Sequence, residues 1–100
     1  MAARTWTFLS NHAHVLICMA AEPDPRLRDV AERVGITERA VQKILADLEE
    51  EQLVTRERRG RRNHYLLHLD QPLRHPLEEH RSVRELIELV TGKRRRARSE

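Results

Sequence analysis

Thr37, Glu38, Arg39, Gln42 and Lys43 bring a hydroxyl, a carboxylate, a guanidinium, an amide and an ammonium group into one short segment of this 100-residue chain. On a helix they fall opposite Val41, Ile44, Leu45 and Leu48, so the apolar side chains turn inward and the polar set faces out. This is hydrogen-bonding equipment without a nucleophile or its base. A second group is purely cationic. Arg56, Arg58, Arg59, Arg61 and Arg62 crowd into residues 55–65 against a single acid, Glu57, and Lys93, Arg94, Arg95, Arg96 and Arg98 crowd into residues 92–100 against Glu100. The whole chain is +3 while each segment is +4, which leaves the remainder acidic at −5. Basic segments set apart from an acidic body suit a polyanion approached on defined faces.

Other chemistries lack their parts. There is no nucleophile elbow, phosphate loop, HExxH or CxxC, and Ser10, Ser82 and Ser99 stand in no catalytic motif. The expectation is therefore a protein that is not an enzyme and uses no cofactor. A lone Cys18 cannot form an internal disulfide, which makes the reducing cytoplasm the default. The apolar run at residues 14–21 follows Trp6, Ser10, Asn11 and His12, which does not suit an export signal, and no stretch reaches the roughly 20 apolar residues of a membrane span. No membrane partner is expected.

The elements that position these groups follow from punctuation. With 39% apolar, 35% charged and 3% aromatic residues, the chain suits one small domain with an aliphatic core, marginal by itself and helped by self-association. A first helix starts between residues 7 and 11, with Ser10 or Asn11 as cap, and stops at Ala21 before Glu22-Pro23-Asp24-Pro25. A second starts at Asp24-Pro25, or at Asp29 if residues 26–28 form a brief strand, and ends at Val34 because Gly35 can turn left-handed. Thr37 caps a third, which runs to Glu50 or Glu51. Residues 53–58 and 63–68 read as strands joined by Arg59-Gly60-Arg61-Arg62. After Pro72 a last helix covers residues 76–91, and residues 93–100 form a basic disordered tail. The fold class is mainly α with a small β-hairpin.

Residues 27–46, LRDVAERVGITERAVQKILA, resemble the helix-turn-helix of bacterial and archaeal transcription regulators: apolar Val30, Val34, Ile36, Val41 and Ile44, small Ala31 at a close helix crossing, and Gly35 in the tight turn. The basic hairpin resembles the wing of winged-helix regulators, most closely the MarR and ArsR-like groups. The resemblance implies a winged helix-turn-helix DNA-binding domain over residues 1–92, with the helix-turn-helix at 27–50, the wing at 53–68 and a C-terminal helix at 76–91. The third helix would then lie in the major groove of double-stranded DNA. There Arg39 can fork onto guanine and Gln42 can pair with adenine, with Lys43 beside them. Glu38 accepts from cytosine or simply complements the helix dipole. Thr37 caps and touches a phosphate, and Arg26 and Arg28 meet the backbone. Asp47, Glu49, Glu50 and Glu51 would point the far end away from phosphates. Arg58, Arg59, Arg61 and Arg62 at the wing tip reach phosphates or the minor groove, with His64 near them. Asn63 and Tyr65 hold the wing to the body.

Such regulators bind paired half-sites as symmetric dimers. Val83, Leu86, Ile87 and Val90, joined by Trp6, Phe8 and Leu9 from the first helix, form the expected homodimer interface between flanking helices. The reading is a dimeric, sequence-specific repressor. The alternative is a winged-helix interaction or architectural module with non-specific nucleic-acid binding. Some ArsR-like proteins sense metals, but the paired cysteines of thiolate sensors are missing despite six histidines, so no metal site is expected. A small-molecule effector of unknown identity between the first and last helices stays open, with no residue of the sequence to mark its pocket.

Overall fold

Ser10 begins the ordered helices. Its hydroxyl accepts from the Ala13 amide and opens α1, Asn11–Ala21, so Trp6, Phe8 and Leu9 lie ahead of the helix instead of on it. The computed structural model describes residues 5–22 and 24–92; the tail expected at residues 93–100 lies outside them. The second helix, α2, is Leu27–Val34 and its N-cap is Arg26, with no side-chain cap bond. The expected start at Asp24-Pro25 is thus corrected. Asp24 takes a positive φ of 47°, a left-handed bend incompatible with capping Pro25, and no strand forms at residues 26–28.

Gly35 closes α2 at φ 88°, donating to the Ala31 carbonyl at 2.8 Å, and Ile36 donates to the same oxygen at 3.0 Å. Thr37 then caps α3, Glu38–Glu50, its hydroxyl accepting from the Ala40 amide at 3.0 Å. Two successive helices are thereby joined by a turn of three residues. Ala31 is buried in the crossing, where a larger side chain would hold the helices apart.

The period then changes to two. Strands β1, Val54–Arg59, and β2, Arg62–Leu67, pair antiparallel with Arg59 opposite Arg62 and Val54 opposite Leu67. The loop is therefore two residues, Gly60-Arg61, shorter than the expected four, and Gly60 takes φ 61°. With φ positive at the first central residue only, the turn is of the kind that favours glycine there. His68 continues the tie beyond the strand, donating its amide to the Leu53 carbonyl at 2.8 Å.

The last helix, α4, is Val83–Thr91 and not residues 76–91. Residues 76–80 are turns and Ser82 bridges to Pro72, because the chain is pinned sideways: Leu73 donates to the Arg81 carbonyl, Val83 to Gln71 and Arg84 to Leu69, each at 2.8 Å. Ser82 begins the helix instead, in a reciprocal capping box with Glu85, and Gly92 ends it in the left-handed conformation. Helices α1 to α4 and the base of the hairpin share one core. Val15, Val30, Val41, Leu45 and Val54 are its most enclosed side chains, and burying each contributes on the order of 1.5–3 kcal/mol.

Candidate nucleic-acid interface

The two faces of α3 are as different as its spacing predicts. Val41, Ile44, Leu45 and Leu48 are buried, while Thr37, Glu38, Arg39, Gln42 and Lys43 are all exposed. Glu38 sits in the first turn, where its charge complements the helix N-terminus. Among the described residues the side chains of Arg39 and Gln42 make no hydrogen bond or ion pair. An exposed guanidinium and an exposed amide, one turn apart on a rigid helix, offer a five-donor fork and a donor–acceptor pair to whatever meets that face.

Further along, α3 turns acidic and two of its carboxylates, Asp47 and Glu49, are taken. Asp47 accepts from His12 Nε2 at 2.9 Å, and this bond holds its carboxyl below the usual carboxylate range, helped by the field of Lys43. Glu49 grips Arg56 with two bonds, 2.8 Å from Nε and 2.7 Å from the terminal nitrogen. That pairing lowers the Glu49 pKa and raises that of Arg56. Arg56, one of the five wing arginines, is accordingly committed inside the molecule and ties the wing to α3.

The remaining wing arginines, Arg58, Arg59, Arg61 and Arg62, are exposed. Arg58 curls over the turn to donate to the Gly60 carbonyl at 3.1 Å, and Arg59 pairs with Glu57 at 3.3 Å. Arg61, at the tip, has no partner among the described residues. Arg59 and Arg62 face each other across the ladder, and like charges in that position repel. A polyanion against the hairpin would relieve that cost. Arg28 on α2 is exposed, whereas Arg26 leans on Asp29 at 3.3 Å.

Three placements differ from expectation. His64 does not stand free near the tip: it is three-quarters enclosed and its Nδ1 meets the Asp24 carboxylate, because the bend before α2 carries Asp24 up to β2. Arg62 reaches the same bend, 3.4 Å from the Asp24 carbonyl. Asn63 is exposed, so Tyr65, packed on the core, fastens the wing without it. Val83 and Ile87, expected in a two-fold contact, are 4% and 3% exposed within the subunit's own core. The apolar stripe of α4 covers α1 first. What stays open is Trp6, Phe8, Leu89 and Val90, with Leu86 and Leu9 half-buried. Trp6 and Phe8 stack edge to face at 5.0 Å.

No helix is long and apolar enough to cross a membrane among the described residues. The IclR helix-turn-helix domain matches the chain over residues 9–58, that is, from the approach to α1 through both helices of the motif and most of β1. The match identifies this family and, ending at residue 58 within the hairpin, does not extend to the MarR or ArsR-like groups that the hairpin resembles. No curated protein and no solved structure matches the chain.

Proposed function

Because the chain belongs to the IclR helix-turn-helix domain family, and is thereby a DNA-binding protein of transcription regulation, we propose that it reads a specific operator as a homodimer and represses by occupying it. Its role is binding and not catalysis, carried out in the cytoplasm on double-stranded DNA. The observation that carries this reading is the uncommitted polar face of α3, with Arg39 and Gln42 exposed and unpaired at the N-terminal half and carboxylates gathered at the other end. Placed N-terminus first in the major groove, Arg39 takes guanine O6 and N7 and Gln42 takes adenine N6 and N7. Thr37, Glu38 and Lys43 flank them. Arg28 takes the backbone, and Arg58, Arg59, Arg61 and Arg62 take the phosphates or adjacent minor groove. The exposed Trp6–Phe8 pair with Leu86, Leu89 and Val90 forms the two-fold contact. Val83 and Ile87 are left to the core.

The test is selection of genomic fragments on the full chain in physiological salt with excess competitor DNA, beside an Arg39→Ala variant. An inverted repeat is expected. Arg39→Ala should lose about 1–3 kcal/mol of discrimination at one base pair, whereas Arg61→Ala weakens all sequences alike. If both substitutions act uniformly across sequences, the groove assignment fails and binding is non-specific.

A further inference from the structure

The C-terminal end of a helix carries a partial negative charge and favours lysine, arginine or histidine nearby. Helix α3 does the opposite: its last turn holds no basic residue, and Asp47, Glu49, Glu50 and the C-cap Glu51 follow one another around it. Glu49 is turned to Arg56. The other three face a groove of about 680 Å³ between the approach to α1, the end of α3, the connector and α4, where Glu78 joins them. Two of these four carboxylates have partners, Asp47 in His12 and Glu51 in Arg74 at 3.3 Å. Glu50 and Glu78 have no ion pair among the described residues.

Beneath this rim the groove is apolar, floored by Leu9, Leu16, Leu48, Leu53, Leu86 and Ile87. Its volume falls in the range that small-molecule sites occupy. The floor offers nothing to a bare metal ion, and among the described residues no three metal-ligating side chains converge. A neutral apolar molecule would satisfy the floor and leave the rim repulsive, and an organic anion would add to the repulsion.

We propose that this groove binds an organic cation with an apolar body, its charge held by Glu50 and Glu78 at the negative end of α3 and its body on the leucine floor. The inference does not depend on the operator contacts, which lie elsewhere, but the groove shares Phe8 and Leu86 with the proposed two-fold contact, so its occupant and a second copy compete for those side chains. Tetraphenylphosphonium and tetraphenylborate test it, being alike in shape and opposite in charge. The only tryptophan, Trp6, stacks on Phe8, which lines the groove, so Trp6 fluorescence reports occupancy and calorimetry on the full chain checks it. The cation is expected to bind at least about tenfold more tightly than the anion, and less tightly as salt rises. Glu50→Gln combined with Glu78→Gln should erase most of that preference, while Leu86→Trp, which fills the groove and is followed by calorimetry alone, removes binding in the native and the double-variant backgrounds. Equal binding of the two ions, or none of either, overturns the proposal. If neither binds and Leu86→Trp also turns a dimer into a monomer in sedimentation, the groove belongs to a second copy of the chain.

Discussion

Cutting the tie between wing and α3 isolates an interaction whose size follows from its geometry. Arg56 and Glu49 share two charge-assisted hydrogen bonds of 2.8 and 2.7 Å, the strong bidentate form. Solvent weakens them, for the guanidinium side chain is 46% exposed and the carboxylate 25%. Exposed pairs contribute roughly 0.2–1 kcal/mol, and a bidentate, half-shielded one belongs near the top, about 1 kcal/mol. A double-mutant cycle of Arg56→Ala, Glu49→Ala and the pair, followed by urea unfolding, measures the coupling directly. At this chain length 1 kcal/mol moves the melting temperature by roughly 4–8 °C. The pH dependence has a definite sign. Arg56 holds the Glu49 carboxyl below its ordinary 4.5, so the coupling is complete above that value and fades as pH falls through the lowered, folded-state pKa. Coupling near zero at neutral pH, or coupling that grows on acidification, would refute the reasoning. The same variant also separates structure from binding: Arg56→Ala should leave the salt slope of DNA binding unchanged, whereas Arg61→Ala should reduce it by about one.

Gly35→Ala adds a Cβ that meets nothing within 4 Å but must sit at φ +88°. The cost should be the left-handed backbone alone, about 1–2 kcal/mol by urea unfolding, and Gly35→Asn should be milder; a loss above about 3 kcal/mol would show that the turn is sterically closed after all. Ala31→Leu forces a branched chain into the α2–α3 crossing and should cost about 1–3 kcal/mol in a thermal melt. An unchanged melt would mean that the two helices have room to spare.

The helix-turn-helix was legible because each of its demands is local. Gly35 turns, Thr37 caps three residues before Ala40, and Val41, Ile44, Leu45 and Leu48 repeat within one helix. The polar face of α3 was legible for the same reason. What was not legible depended on distance. His64 looks like a wing-tip histidine until Asp24, forty positions earlier, bends through a left-handed φ to meet it. The stripe Val83, Leu86, Ile87, Val90 announces a buried face without saying whether the cover is the same subunit or another copy. The start of α4 was misplaced because Pro76 is a good first-turn residue. The better signal was Ser82-Val83-Arg84-Glu85, whose serine and glutamate stand at capping-box spacing. The acidic groove could not be seen at all, since Glu50 and Glu78 come to line it through a connector with no periodicity.

The core has a further consequence through its one thiol. Cys18 is unpaired, 6% exposed, and set on α1 among Val15, Leu16 and Met19, which belong to the same cluster as the inward face of α3. A thiol reagent in solution has little access to it while α1 is seated. Its rate of labelling is therefore governed by how often the domain opens. Any ligand that holds only the closed form, whether operator DNA or an occupant of the groove, must slow that reaction in proportion to its own binding. The chain thus has an internal clock for its own opening, readable with no substitution or added label site.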